Sequence, residues 1–159
     1  MQFKPVAPGT IAALGRVVET ASEIKGYAEA LVAGLRECFD AQSPKSRWGV
    51  DFKVGADNVS ATIESVFGKA RSSLIVEIGD KELYGRYVIE KETRNSDGVI
   101  AWKPVWAIRV SKDGGIHDGE TGAELFSAWR SFDHERTGAV HHLAGSMFYM
   151  IGKADNFPE

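Results

Sequence analysis

The chain has a single cysteine among 159 residues, Cys38, so no internal disulfide can staple it. It has five prolines, and two of them fall in the opening MQFKPVAPG. That opening has no long apolar run, and it reads as neither a signal peptide nor a membrane span. No block of like charge occurs, and the formal net charge is only −3, so there is no basic stripe of the kind that binds nucleic acid. The expected setting is therefore cytoplasmic, with no membrane and no nucleic-acid partner. Asn58-Val59-Ser60 matches a glycosylation sequon, which has no use without secretion. Repeats, low-complexity segments and catalytic signatures such as a GxSxG elbow or a P-loop are also missing.

What is present is ordinary globular material. Hydrophobic residues make up 43% and charged residues 26%, enough for a core without metal or disulfide support. The reading is a tail over 1–9 and a single α+β domain over 10–159. A first helix is predicted from an N-cap at Thr10 to Ala41, where Ser43-Pro44 stops it. Its apolar and small residues recur in heptads, Leu14, Ala21, Ala28 and Leu35 on one row, Val17, Ile24, Leu31 and Cys38 on the next. Unbroken, it would be roughly 48 Å long, longer than a compact domain of about 35–40 Å. So it either breaks near Gly26 and covers the core, or projects and forms a homodimer seam.

Strict alternation of Trp48, Val50, Phe52 and Val54 predicts a half-buried strand. Asp57 then reads as the cap of a second helix carrying Val59, Ile63, Val66, Phe67 and Ala70. The middle reads as a β-meander: Leu74, Val76 and Ile78, the turn GDKE, LYGRYVIEKE, the turn NSDG, then VIAWKPVWAIRV. In the last of these strands Ile100, Trp102, Trp106, Ile108 and Val110 share a face, with Pro104 marking an edge or a bulge. Thr121-Gly122-Ala123-Glu124 has the form of a capping box opening a third helix with Leu125, Phe126, Trp129 and Phe132, closed by Gly138. A last helix follows from Ala139 with Val140, Leu143, Ala144, Met147 and Ile151. The expected architecture is one antiparallel sheet of about four strands, backed on one face by helices, with two C-terminal helices.

Candidate chemistry is sparse. SFDHERTGAVHHLAG, from Ser131, holds three of the four histidines. Adjacent helical residues diverge by about 100°, so Asp133, His134 and Glu135 fan out, as do His141 and His142. Metal ligands on a helix sit at i and i+3 or i+4, a spacing missing here. His134 and Arg136 read as residues favoured at a helix C-terminus, and His142 as pointing to water. KDGGIHDGETG, from Lys112, is a turn with acids that would repel a phosphate. Cys38 lies on a buried row and reads as a small hydrophobe.

Alternation also places Tyr84 and Arg86 with Lys103 and Arg109 on an outward sheet face, a mixture enriched in protein interfaces. Two functional classes result. The first is a non-enzymatic binding protein that takes a protein partner through that surface, of the inhibitor, immunity or phage and mobile-element accessory kind, with no cofactor or metal. The alternative is a small hydrolase or lyase using His117, His134 or His141 with neighbouring acids.

Overall fold

The computed structural model describes residues 2–41, 48–79, 82–128 and 134–153, with 134–136 described by backbone alone. The chain opens with a short helix α1, Pro8–Ala12, and continues into α2, Leu14–Asp40. Pro8 rather than a Thr10 cap starts the first turn, where its fixed φ and missing N–H are harmless. The helix α2 is not broken at Gly26. It runs 27 residues, with Ile24, Ala28, Leu31, Val32, Leu35 and Phe39 buried along one stripe. That burial outweighs the cost of helical glycine, about 1 kcal/mol each. Of the two alternatives for this helix, core covering holds, without the break. Its C-terminal half covers the core, and four of the residues assigned to a dimer seam, Ile24, Ala28, Leu31 and Leu35, are used there. Leu14 and Val18, near its N-terminus, are exposed. The Ser43-Pro44 stop lies outside the described residues; the last helical residue is Asp40.

The sheet has seven antiparallel strands in sequential order, where about four were expected, and it curls into a half-barrel around α2. They are β1 Asp51–Val54, β2 Ala61–Ser65, β3 Gly68–Ile78, β4 Leu83–Arg94, β5 Ile100–Ser111, β6 Gly115–His117 and β7 Glu124–Ser127. The three strands of the expected meander are there. Of the three additional ones, β6 lies in the stretch from Lys112 that reads as a turn, and β2 and β7 come from two further stretches that differ from expectation.

The first is 57–70, a hairpin instead of a helix. Val59, Ala61 and Ile63 are buried with period two, while Val66 at the turn is 82% exposed, which a helical stripe would not allow. Asp57 does cap, but it caps a turn. Its Oδ1 accepts from the amides of Val59 and Ser60 and from the Ser60 hydroxyl. Asn58 takes φ 61°, a conformation that asparagine tolerates better than most residues. The second is 121–127. The would-be capping box is a turn, and Glu124 begins β7, paired with β6. Trp129 and Phe132 lie outside the described residues. Among the described residues one C-terminal helix follows, α3, His134–Gly152, and Gly138 lies inside it. Its stripe of Val140, Leu143, Ala144, Met147 and Ile151 is buried as expected.

Both long helices pack on the concave face. Tyr87, Ile89, Ile108, Val110 and Ile116 line that face with no exposure. Gly85 lets α2 approach β4: a Cβ there would come 2.7 Å from the Ile24 side chain. The buried Tyr87 hydroxyl is satisfied by Ser72 Oγ at 2.5 Å, and its burial pushes the phenol well above its usual range.

A bulge in β5 divides that strand. Ile89 pairs with Trp106 but Glu90 pairs with Pro104, so one extra residue, Val105, is inserted. A one-residue slip exchanges the faces of a strand. Trp106, Ile108 and Val110 therefore point to the concave side. Trp102 lies on the convex side with Glu90 and Glu92, and the Arg71 guanidinium sits 4.4 Å over its ring. The expectation that both tryptophans share a face is corrected by this bulge, which Pro104 did signal.

Two outcomes check this packing. Leu31→Ala should lower unfolding free energy by about 2–5 kcal/mol in a urea titration, whereas exposed Leu14→Ala should stay within about 0.5 kcal/mol of wild type. The Asp57 carboxyl is held below its usual range, first by the Ser60 hydroxyl, then by the amides of Val59 and Ser60. A lowered folded-state value adds stability at neutral pH and loses it on acidification. The stability gap between wild type and Asp57→Ala should thus close as pH falls below about 4.

Candidate functional site

Beside its buried stripe, α3 presents a second row: His141, His142, Gly145, Ser146, Tyr149 and Met150. These residues, with Trp48, Trp106 and Asp118, line a cleft of about 450 Å³. Each wall has a local cause. Trp106 is the concave-side residue at the β5 bulge. Trp48, just before β1, lies on α3 where Gly145 has no side chain; a Cβ there would be 3.6 Å from the indole. The indole is flanked by the His141 ring at 5.2 Å and the Phe148 ring at 5.9 Å, and Phe39 of α2 meets it edge-on at 6.2 Å. Asp118 enters from the turn between β6 and β7.

His142 Nε2 lies 3.0 Å from Asp118 Oδ2. An ionised carboxylate only accepts, so this nitrogen carries the hydrogen. The imidazole is 55% exposed, which limits the pair to about 0–1 kcal/mol of stability. Its value is positional, because it ties the β6–β7 turn to α3. The expectation that His142 points to water agrees with its exposure, and what the sequence does not disclose is its partner Asp118. The signal for this row of α3 was there in part, since His142, Ser146 and Tyr149 recur at helical spacing. Asp118, 24 residues earlier on a turn, carried none.

Of the other histidines, His141 shares the cleft and His117 and His134 lie away from it. His141 Nδ1 lies 3.6 Å from Cys38 Sγ. It stands between the cleft and a smaller cavity of about 230 Å³ lined by Gly34, Glu37, Cys38, Ala41, Thr137 and Val140. Partial burial raises the Cys38 thiol, which keeps it protonated. His117 is on β6 with its Nδ1 3.2 Å from the Gly122 carbonyl, cross-strand from Arg109. His134 opens α3 instead of closing a preceding helix, so the argument that a helix C-terminus favours its charge is reversed. Among the described residues no group of three or more His, Cys, Asp or Glu is placed to hold a metal.

The convex face gathers three of the four residues expected there. Tyr84, Arg86 and Arg109 lie side by side on β4 and β5. Lys103 lies across the bulge, opposite Lys91 and on the other side of the sheet. The face also carries acids that alternation within two strands did not reveal. Arg86 bonds Glu120 and lies 3.5 Å from Glu77. The Tyr84 hydroxyl donates to Glu77, and that bond holds the phenol above its usual range. Glu82 takes Arg109 at 3.1 Å and Lys112 at 3.7 Å. To reach Arg86 on β4, Glu120 must cross β5. Ala107 and its partner Val88 lie there, buried at 7% and 5%.

No protein-family model matches the chain, and neither a curated protein nor a solved structure is significantly similar to it. Among the described residues no helix is long and apolar enough to cross a membrane.

The placement of Cys38 has a direct check. If it is a packing residue and not a nucleophile activated by His141, iodoacetamide at pH 8 should alkylate it at least about tenfold more slowly in the native protein than in urea. A native rate equal to or above the unfolded one would establish an activated thiol.

Proposed function

We propose that this protein is a non-enzymatic binding protein and that the cleft along α3 is its recognition element. The observation that supports the reading is the make-up of that cleft: three aromatic side chains, Trp48, Trp106 and Tyr149, around a small polar set in which His142 and Asp118 already satisfy each other. Large aromatic walls with a few placed polar groups are what small-ligand and side-chain pockets use to combine affinity with orientation, and about 450 Å³ lies within their usual range. Of His117, His134 and His141, the residues of the hydrolase or lyase alternative, His141 lines the cleft while also contacting Cys38, and the other two are on β6 and at the start of α3. On the convex face, Arg86 and Arg109 are bound in a lattice with Glu77, Glu82 and Glu120. A partner there would meet a fixed, nearly neutral pattern, so the cleft is the stronger candidate. An inhibitor, immunity or accessory role is a narrower proposal within this class.

One observation favours the enzymatic alternative in a changed form. His142 is an imidazole held by a carboxylate at the mouth of a cleft, with Ser146 one helical turn away, as a general base would be. A single experiment separates the two readings. A fragment library screened by ligand-observed NMR should give hits on wild type that disappear on Ser146→Trp, which fills the cleft, and those hits should stay chemically unchanged on long incubation. Hits indifferent to Ser146→Trp would remove the cleft from consideration. Conversion of a hit, lost in His142→Asn, would establish the enzyme.

A further inference from the structure

Resting on the reading of the cleft as a binding site, we propose that its ligand is an alkylated ammonium group, a compact organic cation whose charge is dressed in methyl or methylene groups. Three observations converge on this class. The first is the sign of the charge. Of the nine described residues lining the cleft, the only one with a formally charged side chain at neutral imidazole is Asp118, and neither lysine nor arginine is among them. His142 donates a hydrogen bond to the carboxylate without cancelling its charge. An anionic ligand would meet this carboxylate without a compensating cation.

The second is the character of the walls. Trp106 and Tyr149 supply aromatic walls beside Trp48, whose indole is itself flanked by the His141 and Phe148 rings, and Met150 adds a polarisable thioether. Tryptophan is the strongest aromatic partner for a cation. The third is what the walls lack. A bare ammonium keeps three strong hydrogen bonds to water and needs acceptors to replace them. Here Asp118 is the one charged acceptor among the described lining residues, and His142 already occupies one of its oxygens; the Ser146 and Tyr149 hydroxyls are neutral acceptors only. An alkylated ammonium has few such bonds to lose, and its methyl groups gain contact with the rings. The same cleft thus disfavours anions by charge and hydrated primary amines by desolvation.

Two sources carry this head group: a free small molecule of the choline type, and a methylated lysine side chain of a protein partner. The test uses intrinsic tryptophan fluorescence and calorimetry on the whole chain. Probes are choline, tetramethylammonium, a short peptide carrying trimethyllysine, and 3,3-dimethylbutanol, the neutral carbon isostere of choline. The cations should bind saturably and at least about tenfold tighter than the neutral isostere. Asp118→Asn and Trp106→Phe should each weaken cation binding while leaving the circular dichroism spectrum unchanged. Tighter binding of the peptide than of choline names a protein source; the reverse names a small molecule. Equal binding of choline and its isostere would overturn the inference and leave the cleft as an apolar pocket. Absence of saturable binding by every cation would overturn it too, and the fragment screen would still decide whether the cleft binds anything.

Discussion

Six side chains of α2, Ile24, Ala28, Leu31, Val32, Leu35 and Phe39, are at most 1% exposed, and what hides them is a sheet bent far enough to wrap a cylinder. That requirement governs the rest. A flat sheet of four strands would touch one side of such a helix. Seven sequential antiparallel strands twist cumulatively and give the concavity. Gly85 removes the one side chain that would hold helix and sheet apart. The remaining gap in the concave surface is filled by α3, whose stripe from Val140 to Ile151 completes the core. The cleft is the space left where α3, the start of β1 and the end of the sheet do not quite meet. The site is thus a by-product of how a curved sheet is closed by two helices.

The bulge at Pro104 and Val105 is the second organising feature. Beyond it, β5 has lost β6 as a neighbour, so a proline that cannot donate costs no ladder bond on that side. By reversing the faces, the bulge sends Trp106 to the cleft and Trp102 to the convex surface under Arg71. Two tryptophans four residues apart thereby serve different surfaces. The same reversal takes Lys103 away from Arg86 and Arg109.

Much of the architecture could be read from periodicity. The α2 stripe, the three-strand meander and the stripe of the last helix follow directly from spacings of 3.6 and 2, and both meander turns carry the expected residues. The reading failed where short apolar sets fit two periods. Val59, Ile63 and Ala70 suit a helix as well as a hairpin, and only the burial of Ala61 decides. Leu125 and Phe126, after a passable capping box, belong to a four-residue strand whose identity comes from pairing with β6. Asp57 shows the general difficulty: an aspartate that accepts two amides looks the same in sequence whether a helix or a turn follows. The site was less legible than the fold. Its residues come from the segment before β1, from β5, from a turn and from α3, and their meeting is a property of the closed half-barrel.

The turn after β6 has a place in the molecule out of proportion to its length. Asp118 reaches inward to His142 on α3, and two residues later Glu120 reaches outward over β5 to Arg86 on β4. The chain at this point works as a clip with one prong on each side of the sheet. A ligand that draws Asp118 from His142 would pull on the prong that holds Arg86, and a partner that competes for Arg86 would loosen the rim of the cleft. The two surfaces cannot be altered independently as long as three residues of backbone, Asp118 to Glu120, join them.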